Sequence, residues 1–426
     1  MLKEEFLHYI WKYKLYQTFE LKSTEGYPVQ ILNSGIHNTN SGPDFFNGKI
    51  KVGDTIWVGN IEIHVKSSDW IKHHHQSDKA YNNVILHVVY QYDQPVYDKN
   101  GNLIPTIELK GLIDEKLFNK YDKLLNAFHL NWIPCENQIN GVDHFTIKTW
   151  LSRLAIERLE NKSIEINKLL KSNKNDWEQT FYQYLFKYFG LKINAYPFEQ
   201  LAINTPLKII EKHHNLFSIE ALLYGQAGFL EENIEDEYYN QLKKEYHFLK
   251  NKFHLNPFDK SLWKLLRLRP SNFPAIRISQ MAQLLNNNSR LCSKIIETET
   301  VSEIQNFFAV SASQYWNTHY QFNVQAKQNR IKNLGKNTIN NIIINVIVPF
   351  TFVYGKIKQD ENLTDKALNL MENIKPENNA IIKKWAELGL KPDNAMQTQS
   401  LIELKNNYCS PKKCLNCSIG NKIFQL

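Results

Sequence analysis

Four polar residues near the N-terminus are of types that catalyse hydrolysis when they are brought together. Asp44 comes directly after a proline, and Glu62, His64 and Lys66 alternate with apolar residues in the segment 61–66 (IEIHVK). Because successive side chains of a strand point to opposite faces, this spacing places the last three on one face. Two carboxylates can hold Mg²⁺ or Mn²⁺, and a lysine can neutralise charge and orient an attacking water. The pattern predicts that Asp44 and Glu62 bind the ion, that Lys66 activates water, and that His64 assists as ligand or general base.

The same alternation is also typical of a half-buried sheet whose polar face meets solvent. In that interpretation Glu62, His64 and Lys66 lie on the outer face of the sheet and have no chemical role. Short motifs of this kind arise often by chance, so the residues alone leave both interpretations open.

Histidines are concentrated directly after this segment. His73–His75 precede Asp78, and His87 lies inside an apolar, strand-like run. Neutral imidazole and carboxylate groups suit Zn²⁺ or Mn²⁺. The candidate ligands of such an ion are His64, His75, Asp78 and His87. The alternative is that 73–75 form an exposed loop and His87 is a hydrogen-bonded core residue, since the spacing is not that of a known zinc motif.

Three of the five cysteines form a C-x4-C-x2-C pattern near the C-terminus, at Cys409, Cys414 and Cys417. The C-x2-C part has the spacing of a thiolate pair that binds one metal. Cys135 is the candidate fourth ligand, and it would connect this tail to the N-terminal domain. The sequence therefore predicts a zinc or iron–sulfur site. Three reduced thiols in a proline-bent turn are the alternative.

The segment 266–280 (LRLRPSNFPAIRISQ) contains Arg267, Arg269 and Arg277 beside an aromatic residue. Guanidinium groups can bind phosphate and stack on bases, so these arginines are candidate nucleic-acid contacts. The alternative is a corner between two helices, with Asn272 as a cap and the arginines lying over the core.

The composition excludes several classes of protein. The chain has 426 residues with 42% hydrophobic and 22% charged residues, which is not the composition of a disordered or collagen-like chain. Its length suggests two or three domains. The net charge of +8 permits a nucleic-acid partner but does not require one.

The sequence also favours a water-soluble, cytoplasmic protein without a membrane partner. The N-terminus places acidic residues directly after its first lysine and does not resemble a signal peptide. The longest apolar run, 342–353, contains Asn345 and Pro349, and we expect it to be too short and too interrupted to span a bilayer. An odd number of cysteines argues against a disulfide framework.

The hydrophobic patterns predict an α+β fold in two main parts. Short β-rich runs dominate 29–109, and leucine-rich segments with helical spacing follow residue 114. The predicted helices are 2–16, 114–128, 145–172, 176–190, 218–231, 236–252, 275–288, 300–330, 362–374 and 378–388. The predicted parts are an α+β domain (1–130), a linker (131–143), a mostly helical domain (144–407) and a cysteine-rich tail (408–426).

Pro43-Asp44 followed by Glu62-Ile63-His64-Val65-Lys66 resembles the core of the PD-(D/E)xK nuclease superfamily. The resemblance implies a restriction-endonuclease-like fold, a mixed sheet with flanking helices, and metal-dependent cleavage of nucleic acid phosphodiesters. A strict acid-x-Lys motif needs lysine at position 64, where histidine stands. Alternatively, Lys66 is the motif lysine and His64 occupies the acidic position.

A second resemblance covers nearly the whole chain. The segments GPDFFNGKI, IEIHVKSSDW, AYNNVILHVVY, RPSNFPAIRISQ and YCSPKKCLNCSIG are similar to those of an uncharacterised bacterial family, domain of unknown function 2851. Because that family has no established activity, the resemblance implies a fold boundary and not a reaction. Some PD-(D/E)xK nucleases have an iron–sulfur cluster whose cysteines flank the nuclease domain, and the four cysteines here loosely resemble that arrangement.

Together these patterns predict a divalent-metal-dependent, nuclease-like protein that acts on nucleic acid. The alternative is a non-catalytic nucleic-acid-binding or scaffold protein, with a degenerate nuclease fold and a structural cysteine site.

Overall fold

The computed structural model describes residues 2–38, 41–126 and 131–425. The chain divides into two compact units, the first from Met1–Trp150 with Leu404–Leu426 and the second from Leu151–Glu403. The first unit combines a mixed sheet with helices, and the second is largely helical. The predicted α+β class is therefore confirmed.

The sheet of the first unit is mixed. Its strands are β1 (Val29–Asn33), β2 (Ile36–His37), β3 (Phe45–Val52), β4 (Thr55–Lys66), β5 (Val84–Gln91) and β6 (Thr106–Glu108). They lie in the order β1-β3-β4-β5-β6, and β2 pairs with β3. The pairs among β1, β3 and β4 are antiparallel, whereas β4, β5 and β6 run parallel. β4 is thus the strand at which the pairing changes direction.

Strand β4 carries the predicted alternation. Ile61 and Ile63 are buried, and so are their pairing partners on β5, Leu86 and Val88. The predicted strand and its apolar face are therefore confirmed, although Val65 is half-buried. The opposite face is not an outer face, because Glu62 and His64 are also buried on it.

Among the described residues, five α-helical segments complete the first unit. They are α1 (Glu4–Lys12), α2 (Asp69–Lys72), α3 (Glu115–Asn126), the start of the helix His144–Ser172, and the C-terminal helix Ser418–Gln425. Phe6 of α1 stacks on Tyr121 of α3 at a centroid distance of 4.6 Å, and Tyr9 of α1 lies against Phe424 at 5.7 Å. Aromatic packing thus joins the C-terminal helix to the first helix of the chain.

The second unit is built around a helical core. Its helices are the remainder of His144–Ser172, then Trp177–Phe189, Leu191–Asn204, Leu207–Ile210, Leu216–Gln226, Glu237–Phe253, Pro274–Asn287, Leu291–Glu297, Val301–Phe307, Lys336–Ile342, Val348–Lys358, Glu361–Glu372, Ala380–Glu387 and Ala395–Glu403. Leu216–Gln226 buries every residue from position 218 onward. Its carboxylate Glu220 accepts hydrogen bonds from Ser279 and Tyr238, which satisfy a charge that would otherwise be costly to bury.

The prediction of one helix over 300–330 was wrong beyond its first turns. The helix Val301–Phe307 ends, and a 3-10 turn is followed by the two-stranded ribbon His319–Gln321 and Val324–Gln325. Trp316 is completely buried, and Asn323 turns the ribbon with a positive φ of 56°. Tertiary burial of an aromatic residue and a left-handed turn residue override the helical spacing.

The apolar run 342–353 belongs to a longer helix than its sequence suggested. Lys336–Lys358 is a 23-residue helix with a mean hydropathy of 1.4, long and apolar enough to cross a membrane by length and composition. It includes a π-helical turn, Ile343–Ile347, directly before the segment that carries Pro349. The expectation that this segment is too short to span a bilayer was therefore wrong. However, 72% of its most apolar window is buried inside the protein, as in the core helix of a soluble domain.

Gly59 of β4 permits the close approach of β4 to the loop before β5. A Cβ atom at this position would lie 2.6 Å from the Asn83 carbonyl oxygen and 2.5 Å from Cγ2 of Ile85. We predict that Gly59→Ala lowers the free energy of unfolding by about 1–3 kcal/mol, because the backbone must shift to admit a methyl group. Urea denaturation measures this change. Gly141→Ala is the matched control, since a Cβ at Gly141 meets nothing within 4 Å; equal stability of the two variants would contradict the prediction.

Candidate metal centre

The two predicted acids meet at the junction of β3 and β4. Asp44 lies directly before β3, and its Oδ2 accepts a hydrogen bond from the Ile63 backbone N–H at 2.9 Å. In return, the Asp44 backbone N–H donates to Oε2 of Glu62 at 3.1 Å. These reciprocal bonds fix both carboxyl groups against the same stretch of β4.

The other oxygen of Glu62 faces imidazole rings. Oε1 lies 3.5 Å from Nε2 of His64 and 3.3 Å from Nε2 of His75. Nδ1 of His73 lies 3.2 Å from the same His64 nitrogen. Among the described residues, His64, His73 and His75 are the group whose potential ligand atoms all lie within 4.8 Å of one another.

A local turn brings His73 and His75 to this point. Helix α2 is anchored by the completely buried Trp70, and the chain reverses at His74, whose φ is +62°. The residues on either side of His74 therefore both reach His64. Tyr81 stacks on the His75 ring at a centroid distance of 3.8 Å, which fixes the plane of that ring.

His87 lies behind His64 and fixes its orientation. Its Nε2 is 2.8 Å from Nδ1 of His64. In one of the two possible proton arrangements, His64 donates its Nδ1–H and presents the lone pair of Nε2 to Glu62. A histidine that binds a metal commonly donates its other N–H in this way. The Nδ1 atom of His87 is buried without a hydrogen-bond partner in the part of the chain described.

Burial keeps both inner histidines neutral. It lowers the pKa of His64 to about 2, with further lowering by the neighbouring His87 and His75. Burial likewise lowers the pKa of His87 to about 3, and His75 adds to the effect. Neutral imidazole is the form that binds a metal ion.

On the acid side of the site, the pKa values of Glu62 and His8 are raised instead of lowered. Burial, and then the negative charge of Asp44, raises the pKa of Glu62 well above its usual range. Nε2 of His8, on α1, lies 3.2 Å from Oδ2 of Asp44. Burial lowers the pKa of His8, but the Asp44 hydrogen bond and the charges of Asp44 and Glu4 outweigh it, so the net shift is upward.

The donor atoms fit a transition-metal ion. Around a tetrahedral Zn²⁺ with bonds of about 2.0–2.1 Å, neighbouring ligand atoms lie roughly 3.3–3.4 Å apart. Three of the distances among these groups lie near that value: 3.2 Å for His64–His73, 3.3 Å for Glu62–His75 and 3.5 Å for Glu62–His64. Imidazole nitrogen with one carboxylate suits Zn²⁺ or Mn²⁺ better than Mg²⁺, which prefers oxygen ligands.

Two predicted residues lie at the margin of this cluster. Lys66 is at the exposed end of β4. Burial raises the pKa of Asp93, but hydrogen bonds from Ser68 and Ser67, and then the charge of Lys66, together lower it by more, so the net shift is downward. Asp78 is exposed, and its Oδ1 accepts a hydrogen bond from the Ala80 backbone N–H as a helix cap. The roles predicted for these two residues stay predictions.

The predicted arginines lie in the second unit. Arg277 is buried, and its guanidinium donates to Gln280, Asn272 and Thr338. This matches the alternative of a helix corner. Arg267 and Arg269 are exposed, so contact with nucleic acid stays a prediction for these two.

Sequence reasoning missed three residues of the site. His73 had been placed with the exposed loop, and Glu4 and His8 had not been considered. Glu4 and His8 are four residues apart, so they share one face of α1. That acid–histidine pair was the available signal, but nothing in the sequence shows that α1 packs near Asp44.

Comparison with known proteins assigns the chain to a family. The family described as "protein of unknown function (DUF2851)" matches residues 4–380, so the chain belongs to it. Searches of curated proteins and of solved structures found no match. The family match includes the cluster around Glu62 and ends before Cys409. Because the family description names no activity, the function must be argued from the site itself.

We predict that Glu62 makes the metal-free protein less stable as pH rises. Its folded-state pKa is raised above the ordinary 4.5, so from about that pH upward the folded protein holds a proton that the unfolded chain has lost. Between pH 5 and pH 8, wild type should lose about 1–3 kcal/mol more stability than Glu62→Gln, which has no such proton. Chemical denaturation of chelator-treated protein measures both. The pKa shifts of His64 and His87 come from burial and from neighbouring histidines, so these two residues affect both proteins alike, and identical pH dependence would contradict the raised pKa of Glu62.

Proposed function

We propose that the protein is a divalent-metal-dependent phosphodiester hydrolase that acts on nucleic acid. The observation that carries the proposal is the group of His64, His73 and His75, with Glu62 beside His64 and His75 and a second carboxylate, Asp44, next to Glu62. A single buried carboxylate can be structural. Here the buried carboxylate faces the imidazole nitrogens of His64 and His75, and burial favours the neutral form of both rings. Together these groups are of the types that bind a metal ion.

The positions of the acids support a nuclease-like arrangement. One acid precedes β3 and the other lies on β4, the neighbouring strand, as a metal-dependent phosphodiesterase requires. The mixed sheet has helices around it, which agrees with a restriction-endonuclease-like fold. His64 takes the place of the acid or lysine of the usual motif. We infer that this substitution, together with His73 and His75, changes the preferred ion from Mg²⁺ to Zn²⁺ or Mn²⁺.

The residues around the cluster have separate roles in this proposal. Glu62, His64, His73 and His75 hold the ion, which when bound lowers the pKa of a water and polarises the phosphate. Asp44 holds His8 in place, and its charge favours the protonated form of that imidazole. His8 is therefore suited to contact a phosphate oxygen or to protonate the leaving oxygen. Lys66, at the exposed end of β4, is available to a phosphate of the substrate.

Metal binding provides a test that needs no substrate. After treatment with a chelator, Zn²⁺ or Mn²⁺ should raise the Tm of wild type, with about 2.7 kcal/mol of stabilisation at a metal concentration of 100 Kd. Glu62→Gln and His75→Ala should lose most of this response, because each removes a ligand. His74→Ala is the matched control, since His74 is exposed between two ligands. An equal response in all four proteins would exclude metal binding at this cluster.

Cleavage of single-stranded DNA, duplex DNA and RNA tests the reaction. With Mn²⁺ or Zn²⁺, wild type and His74→Ala should cleave at least one of these substrates. Asp44→Asn, Glu62→Gln and His75→Ala should lose activity by about 10²-fold or more. Activity that survives all three substitutions would indicate a contaminating enzyme. Specific metal binding without cleavage of any substrate would favour the non-catalytic alternative.

A further inference from the structure

Four cysteines from distant parts of the sequence lie in the first unit. Cys135 lies in the segment between α3 and the helix His144–Ser172, whereas Cys409, Cys414 and Cys417 lie near the C-terminus. All four side chains are buried, with exposures of 6–8%. None forms a disulfide. The fifth cysteine, Cys292, is buried in the second unit.

The four thiols are mutual neighbours. Burial is the largest of the causes that raise the pKa of Cys409, and the charges of Cys135, Cys417 and Cys414 raise it further. After burial, Cys135 and Cys417 raise the pKa of Cys414, and Cys417 raises that of Cys135. The chain segments that carry these thiols are in contact, because Lys405 Nζ donates to the Trp132 carbonyl oxygen at 3.0 Å and Trp150 lies against Tyr408 at a centroid distance of 5.2 Å. Buried thiolates at such proximity repel one another unless a cation lies between them.

The backbone around Cys417 is shaped to hold a thiolate. The Cys417 N–H donates to the Cys414 carbonyl oxygen at 3.2 Å, which closes the C-x2-C turn. The N–H groups of Ile419 and Gly420, at the start of the C-terminal helix, donate to the sulfur of Cys417. A Cβ at Gly420 would lie 2.2 Å from the Cys414 carbonyl oxygen, so this turn requires glycine. Such N–H groups stabilise the deprotonated form of a thiol.

The spacing of the sulfur atoms distinguishes two kinds of metal centre. Four thiolates around one Zn²⁺, with bonds of about 2.3 Å, place their sulfur atoms roughly 3.8 Å apart. In the described part of the chain, the group of three or more ligand atoms within 4.8 Å of one another is the histidine group, and the thiols are not among it. Four thiolates around a four-iron cluster lie wider, at roughly 6 Å.

We propose that Cys135, Cys409, Cys414 and Cys417 ligate an iron–sulfur cluster of the four-iron class. Each thiol releases its proton as its sulfur bonds to an iron atom, which removes the cost of four buried, mutually repelling groups. The cluster joins the segment around residue 135 to residues 409–417 and so stabilises the first unit. This inference does not depend on the proposed hydrolase activity.

Anaerobic purification after growth with added iron provides the test. Wild type should contain about four iron atoms and four acid-labile sulfides per chain and should show visible charge-transfer absorption. Cys135→Ser and Cys417→Ser should lose most of the iron and sulfide. Cys292→Ser is the matched control, because it removes a buried thiol from the other unit. Its iron, sulfide and absorption should equal those of wild type.

Wild-type protein keeps the test decisive if the serine variants do not fold. Oxidative removal of the cluster should lower its Tm and expose four additional thiols to a disulfide reagent under native conditions. One zinc per chain without sulfide, retained in Glu62→Gln and His75→Ala, would overturn the cluster in favour of a single-ion site at the cysteines. Metal-free native protein, purified without oxygen, whose stability does not change on adding iron and sulfide would overturn the site altogether. Neither result depends on nuclease assays.

Discussion

The burial of one carboxyl group, that of Glu62, constrains the arrangement of the first unit. A carboxylate in the middle of a buried strand must be protonated, paired or bound to a cation. Asp44 supplies a backbone N–H but also a negative charge, so it cannot neutralise Glu62. The neighbouring imidazoles are themselves held neutral by burial. The raised pKa of Glu62 therefore favours its protonated form, and α1, α2 and the turn at His74 surround that carboxyl group and its neighbour Asp44.

The carboxylate–histidine cluster and the thiol cluster each bring together groups that repel one another when they carry like charges. The carboxyl groups and thiols become charged when they lose a proton, whereas the imidazoles become charged when they gain one. The histidines of the cluster lie on β4 and in the turn after α2, close together in the sequence, so their geometry depends on local structure. The cysteines are spread across most of the chain, so their geometry depends on the C-terminal segment returning to the first unit. Disruption of the first cluster should therefore affect local order, and disruption of the second should affect the cohesion of the unit.

Particular residues show how far the sequence could predict this structure. Period-two alternation over 61–66 gave the strand and its faces correctly, because it is a property of local backbone geometry. It could not show that the polar face is buried, since that depends on α1 and the histidine loop. For the same reason the sequence singled out His75 and Asp78 but not His73, which lies 3.2 Å from His64. The helix expected over 300–330 ended early because Trp316 is buried by tertiary contacts. The apolar run 342–353 also underestimated the length of the helix Lys336–Lys358, which Asn345 and Pro349 do not break.

The composition of the first unit from Met1–Trp150 and Leu404–Leu426 has a consequence for biosynthesis. A ribosome releases the sheet and its histidines long before the C-terminal helix exists. At about 5–20 residues per second, the intervening Leu151–Glu403 takes tens of seconds to translate. During that time the surface of α1 that later packs against Phe424 remains uncovered. Until the C-terminal helix Ser418–Gln425 is made, the first unit lacks its aromatic contact with α1, so loss of this late segment would remove packing from the first helix of the chain.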